Sequence, residues 1–259
     1  MSGRLALVTG ASAGIGAALA RVYAAHGYDL ALTARREDRL QTLADELRLA
    51  AGIEALVIPA DLADPDAPAA VLSQIEAHGR QVDALVNNAG YGLVGPFADS
   101  AWEDQGASLQ VMVAAVAEFA HRVVPGMVER RFGRIVNVAS LAGILPGAPG
   151  AGLYSAVKAF VLSFSQSLHL ELAATGVHVS ALCPGFTYSE FHDVNRSRDA
   201  VGMPAWMWMG ADEVAASGYE AAEANRPVCV PGAPNKAIAA LAHVLPEEWT
   251  MALIARRRR

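Results

Sequence analysis

A chain of 259 residues, 53% hydrophobic and 18% charged, holds enough material for one large α/β domain and shows no mark of disorder. The formal net charge of −6 argues against a nucleic-acid binder; the local exception, Arg256 to Arg259, reads as a solvated tail or as a contact for an anionic partner or membrane surface. The two cysteines, Cys183 and Cys229, lie in apolar runs and read as buried thiols of a reducing compartment.

A strand-like run, Leu5 to Thr9, ends in Gly10-Ala-Ser12-Ala-Gly14-Ile15-Gly16, and a helix-like stretch continues to His26. Strand, glycine turn and helix together form a phosphate cradle: glycines admit a pyrophosphate close to the backbone, and the helix N-terminus favours its charge. The spacing is G-x-x-x-G-x-G rather than G-x-G-x-x-G. A second strand, Asp29 to Thr33, runs into Ala34-Arg35-Arg36, with no acid before Glu37. An acid at this place selects NAD, whereas a guanidinium suits the 2′-phosphate of NADP, so NADP is the expected cofactor.

Ala55 to Ile58 is the third expected strand. Asp61-Leu62 follows it, and Asp61 suits two roles: acceptor for an adenine amine, or cap of a helix beginning near Asp64-Pro65. Asp83 to Val86 forms a fourth strand and enters Asn87-Asn88-Ala89-Gly90, where Gly90 allows close cofactor approach. Trp102 to Arg131 reads as one long amphipathic helix, with Pro125 marking a kink or the start of a second piece.

Arg134 to Ala139 is the fifth strand, and Ser140 stands at its end, where ligands of open α/β sheets bind. After a Gly/Pro loop comes Tyr154-x-x-x-Lys158, expected on a helix reaching about Ala174. At i, i+4 spacing the phenol and the ammonium share a face, and a nearby lysine is expected to pull the tyrosine below its ordinary value near ~10. A sixth strand, Val177 to Cys183, meets Pro184-Gly185, with Thr187 and Ser189 just beyond. From Glu190 to Gly210 the pattern is aperiodic and carries Met203, Trp206, Met207, Trp208 and Met209. Such a stretch is expected to act as a substrate lid, within about 190–224, or to pack on a neighbouring subunit. A helix from Ala211 to Ala224, a seventh strand at Pro227–Val230 and a helix from Asn235 to Leu245 complete the reading.

No domain boundary, metal-ligand spacing or G-x-S-x-G elbow is visible. The uncharged stretch Ile135–Val157 is long enough to cross a bilayer, but Pro146, Pro149 and four glycines interrupt it, so a soluble, cytoplasmic protein is expected.

In their order, Thr9 to Gly16, Asp61-Leu62, Asn87 to Gly90, Ser140, Tyr154-x-x-x-Lys158 and Pro184-Gly185 resemble the short-chain dehydrogenase/reductase superfamily. The resemblance spans roughly Arg4 to Gly232. It implies a single doubly wound Rossmann domain with a seven-stranded parallel sheet. It implies Tyr154 as acid/base, Ser140 as its substrate-side partner and Lys158 on the nicotinamide ribose, with Thr187 and Ser189 at the carboxamide end of the cofactor. Homodimers or homotetramers through the two long helices are usual in the family. Two departures stand out. Met112 occupies the place where members commonly carry an asparagine, and the Ser140-to-Tyr154 gap of 14 (154 − 140) is one longer than usual. The expected function is NADP(H)-dependent interconversion of a ketone and a secondary alcohol, on a largely apolar substrate. A non-catalytic NADPH-binding regulator is the alternative.

Overall fold

The computed structural model describes residues 3–93, 95–189 and 204–256. Its seven-stranded sheet is parallel throughout, in the order Ala55–Val57, Asp29–Thr33, Leu5–Thr9, Ala84–Asn87, Gly133–Val138, Val177–Leu182, Val228–Cys229. The strands are β1 (Leu5–Thr9), β2 (Asp29–Thr33), β3 (Ala55–Val57), β4 (Ala84–Asn87), β5 (Gly133–Val138), β6 (Val177–Leu182) and β9 (Val228–Cys229). The helices α1 (Gly14–Ala25), α2 (Glu37–Ala51), α3 (Ala67–Ala77), α4 (Trp102–Leu109), α5 (Ala115–Glu129) and α6 (Tyr154–Glu171) lie between them. The doubly wound parallel sheet expected from the strand and helix pattern is the one observed.

The strands are runs of buried residues because both faces of the sheet are covered. Alternate residues divide between two cores. Ala6, Val8, Leu30, Leu32 and Val86 join Leu19, Tyr23, Leu40 and Leu43 of α1 and α2 on one face. Leu5, Leu7, Ala31, Leu85 and Ile135 join Val71, Ile75, Phe119 and Val123 of α3 and α5 on the other. Each buried Leu, Ile, Val or Phe contributes roughly 1.5–3 kcal/mol.

Some expectations shift. Trp102 to Glu129 is helical, but its irregularity lies at Gln110–Ala114, a single wide π turn, and not at Pro125, which sits inside α5. The wide turn carries Met112 inward, to 1% exposure. The third helix starts at Ala67 with Pro68 in its first turn, rather than near Asp64-Pro65. Asp61 and Asp64 instead accept from the amides of Ala63 and Asp66, at 3.0 and 2.9 Å, which folds the intervening chain into turns. The seventh strand shortens to two residues, and α6 stops at Glu171. A terminal helix, Glu247–Arg256, was not expected.

The stretch Ile135–Val157 is divided among a strand, a loop and the first turn of α6. Trp102–Glu129 is long and apolar enough to cross a membrane by length and composition; its inward residues belong to the core under the sheet.

The expected lid, 190–224, meets the described residues only from Pro204 onward; Glu190 to Met203, with Arg196 and Arg198, lies outside them. Within the described part, Met209–Gly210 (β8) pairs in parallel with Thr187–Tyr188 (β7). The helix Ala211–Glu223 is a layer helix whose Val214, Ala215, Ala221 and Ala222 enter the sheet core.

Candidate active site

At the carboxyl end of β1 the chain turns through Gly10 at φ +65° and Gly14 at φ +56°, where the left-handed backbone favours glycine. A Cβ on Gly16 would lie 2.3 Å from the Gly10 carbonyl oxygen, so only glycine lets α1 start this close. Thr9 ties the turn to its neighbour. Its hydroxyl donates to the Val86 carbonyl at 3.2 Å and accepts from the amides of Asn88 and Ala89 at 2.9 and 3.0 Å. Asn88 Nδ2 returns the tie by donating to the Thr9 and Gly10 carbonyls, at 2.9 and 3.2 Å. Ile15 packs on the core behind the turn. The N-cap, Ala13, supplies no side-chain acceptor, so the first amides of α1 remain for a ligand.

Both arginines after β2 are exposed. Arg36 reaches the glycine turn, its Nε and a terminal nitrogen 3.3 and 3.0 Å from Ser12 Oγ. Arg35 lies near Tyr91. Burial pushes the Tyr91 phenol up, the Arg35 charge pulls it down, and Asp61 pushes it up again. Leu62, next in the chain after Asp61, is buried. Tyr91 was missed in the sequence because nothing local distinguishes it from any residue after a glycine turn.

Ser140 caps a short 3₁₀ turn, Leu141–Gly143, its Oγ accepting from the Ala142 amide at 3.1 Å. Gly143 lets that turn press on α6; a Cβ there would lie 2.5 Å from the Lys158 carbonyl carbon. The Ser140 hydroxyl faces the Tyr154 phenol. Burial pushes that phenol up to about 12, and the Ser140 hydroxyl is the influence that lowers it. The expectation that Lys158 depresses Tyr154 is corrected here. The Lys158 Nζ lies 5.7 Å from the centre of the phenol ring and donates to the Val138 carbonyl at 2.7 Å. At 5% exposure, burial lowers its own value to about 8. Desolvation outweighs the pairing that the i, i+4 spacing suggested.

Gly90 faces the same space. A Cβ on it would lie 2.9 Å from Met112 Sδ and 3.7 Å from Lys158 Nζ, so Met112 walls the lysine from behind. The Pro184 carbonyl accepts from the Leu141 amide at 2.9 Å, which holds Gly185 beside the Ser140 turn. Thr187 Oγ1 donates to the Gly185 carbonyl at 3.2 Å, and Ser189 lies over Gly14. Trp208 is held between aromatic rings, 5.2 Å from Tyr188 and 5.4 Å from Phe186, whereas Trp206 is 67% exposed. A groove of about 1480 Å³ lies between α3 and α5 and includes none of these residues.

The structure thus brings Gly10, Gly16, Asn88, Ala89, Gly90, Ser140, Tyr154, Lys158, Pro184 and Gly185 to one end of the sheet. Three features fit a nicotinamide dinucleotide: a cradle that any Cβ would fill, uncapped helix amides, and a buried ammonium with donors to spare.

A parallel doubly wound sheet with this cradle beside a Ser–Tyr–Lys cluster defines a dinucleotide-dependent oxidoreductase fold. The chain belongs to the short chain dehydrogenase family, whose model matches residues 4–200. It is 38% identical over 187 residues to the oxidoreductase UcpA of Salmonella typhimurium, covering 72% of this chain and 70% of that one. Among solved structures, a short-chain dehydrogenase from Sphingobium yanoikuyae in complex with NADPH shares 32% identity, with TM-score 0.81 over 94% of this chain and 97% of that one. Another, from Burkholderia phymatum in complex with NAD, shares 30% identity, with TM-score 0.82 over 93% of each chain.

Proposed function

We propose that this protein is a soluble, cytoplasmic, homo-oligomeric NADP(H)-dependent oxidoreductase that interconverts a ketone and a secondary alcohol on a largely apolar substrate. Bound NADPH would supply the hydride. Gly10, Ser12, Gly14, Ile15 and Gly16 would hold the pyrophosphate, and Arg35 and Arg36 the adenosine 2′-phosphate. Asp61, Leu62, Asn88, Ala89 and Gly90 would line the adenosine side, and Pro184, Gly185, Thr187 and Ser189 the nicotinamide side. Lys158 would bind the ribose with the donors that Val138 leaves over.

The observation that carries the reading is Ser140 set against the Tyr154 phenol at the carboxyl end of the sheet, where it lowers a group that desolvation raises. Ser140 would orient the carbonyl oxygen, and Tyr154 would give it a proton as the alkoxide forms. A phenol held up at about 12 is protonated throughout the neutral range, so it stands ready as an acid. The family match and the NADPH-bound neighbour support the class and the cofactor; the NAD-bound neighbour makes the arginines the deciding argument.

The test is NADPH and NADH oxidation against aromatic, long-chain, steroid-like and β-keto ester carbonyls. NADPH-dependent reduction of at least one class, constant over neutral pH, is expected. NADPH binding without turnover across the panel would point instead to a sensor of the cofactor.

A further inference from the structure

We infer that Asn235 is a positioning residue for the Ser140–Tyr154 pair, acting through the Pro184–Gly185 turn. The inference rests on the proposed function. Asn235 stands in the first turn of the helix Ala233–Val244, remote in sequence from every motif of the site, and is only 2% exposed. Its Nδ2 donates to the Pro231 carbonyl at 2.8 Å and lies 3.5 Å from Met209 Sδ. Its Oδ1 is buried without a partner. A buried acceptor left unpaired is a standing cost, so a side chain kept in that state calls for a reason.

The reason lies in what the amide touches. A Cβ on Gly185 would lie 2.3 Å from Asn235 Oδ1, so the side chain seats directly on the Gly185 backbone. One residue earlier, the Pro184 carbonyl accepts from the Leu141 amide at 2.9 Å. Leu141 follows Ser140, whose hydroxyl faces Tyr154 and lowers its phenol. On its other side the amide touches Met209, whose own amide donates to the Phe186 carbonyl at 2.9 Å. Asn235 is therefore wedged where the Pro184–Gly185 turn, β8 and the Pro231–Gly232 turn meet. The wedge sets how far the Pro184 carbonyl advances toward the Ser140 loop. If it slackens, the Ser140 hydroxyl drifts from the phenol, and the influence that lowers Tyr154 weakens.

Asn235→Leu keeps the branched heavy-atom skeleton, with somewhat greater bulk, and removes the amide. With acetophenone and NADPH as the probe pair, turnover is expected to fall about tenfold, since small misplacements of reacting groups cost rate steeply. NADPH affinity should hold within about threefold, because the glycine turn, which carries most phosphate binding, is untouched. In the reverse direction, with 1-phenylethanol and NADP, the base must be phenolate. The alkaline limb of the rate should then move up by about half a pH unit as Tyr154 loses its stabilising partner.

A second measurement is independent of turnover. Gly185→Ala inserts a methyl where Oδ1 sits and should lower the thermal midpoint; adding Asn235→Ala should recover most of that loss, because the methyl then has room. Additive losses in this cycle would overturn the inference, as would an Asn235→Leu variant that melts lower but keeps its rate and pH limb. Absence of turnover in the native chain would overturn the proposed function instead, and the thermal cycle would still decide whether Asn235 and Gly185 act as one unit.

Discussion

The two ends of the sheet are built from the same strands by opposite rules. At the amino ends, charges meet partners. Arg80 pairs with Asp29 at 2.8 Å and also donates to the Gly3 carbonyl, and Asp83 accepts from the Leu5 amide at 2.9 Å. Arg134 pairs with Glu223 at 3.1 Å, and with Arg4 it stacks over Phe132. At the carboxyl ends, glycines replace side chains and polar groups are left over. Of the buried side-chain atoms without a partner among the described residues, Thr33 Oγ1 and Asn235 Oδ1 lie on this side, while Tyr23 Oη sits among aromatic rings. Lys158 is buried with a carbonyl as hydrogen-bond acceptor and, among the described residues, no carboxylate partner. One end is finished by its own contacts; the other is shaped for a ligand to finish.

Substitutions at the two ends should therefore separate function from stability. The largest effect is expected from Tyr154→Phe: turnover falls by at least ~10²-fold, the usual scale for a positioned acid, with NADPH binding and thermal midpoint retained. Near-native turnover in that variant would remove the phenol from the mechanism.

Arg80→Ala should behave in the opposite way. It leaves Asp29 part-buried without its cation and is expected to cost roughly 2 kcal/mol of stability, below the figure for a fully buried pair because some solvent reaches it. Chemical denaturation measures that loss, and an unchanged NADPH affinity would sharpen the division between the ends. A matching loss of affinity would blur it.

Next in size is cofactor choice. Arg35→Ala and Arg36→Ala should each reduce the preference for NADPH over NADH by about tenfold, or ~1.4 kcal/mol. Titration with both cofactors decides it, and equal affinities in the native protein would sink the assignment.

The smallest change in rate is expected at Met112. Met112→Asn should keep turnover within about one decade, because the native side chain walls Lys158 without bonding it. Its larger consequence is a lower melting temperature, since an amide then enters an apolar core. A large gain in rate would show that the thioether restrains the site.

Much of this molecule is legible in one dimension. Apolar runs of strand length, glycines at fixed spacing and the Ser140, Tyr154 and Lys158 order are local features, and local sterics determine them: a continuous run demands cover on both faces, and a left-handed turn demands glycine. The sequence by itself thus determined the sheet, its winding and where the candidate site would lie. Tertiary structure decided what depends on distance through space. It set the state of Tyr154 and Lys158, because burial outweighs the pairing that their spacing suggests. It placed the irregular turn at Gln110–Ala114 instead of Pro125, where Met112 has to fit beneath Gly90. It drew Tyr91 within reach of the Arg35 charge and Asn235 against Gly185, meetings of residues 56 (91 − 35) and 50 (235 − 185) positions apart. No local pattern encodes such meetings, since they exist only once the sheet has closed and set its loops side by side.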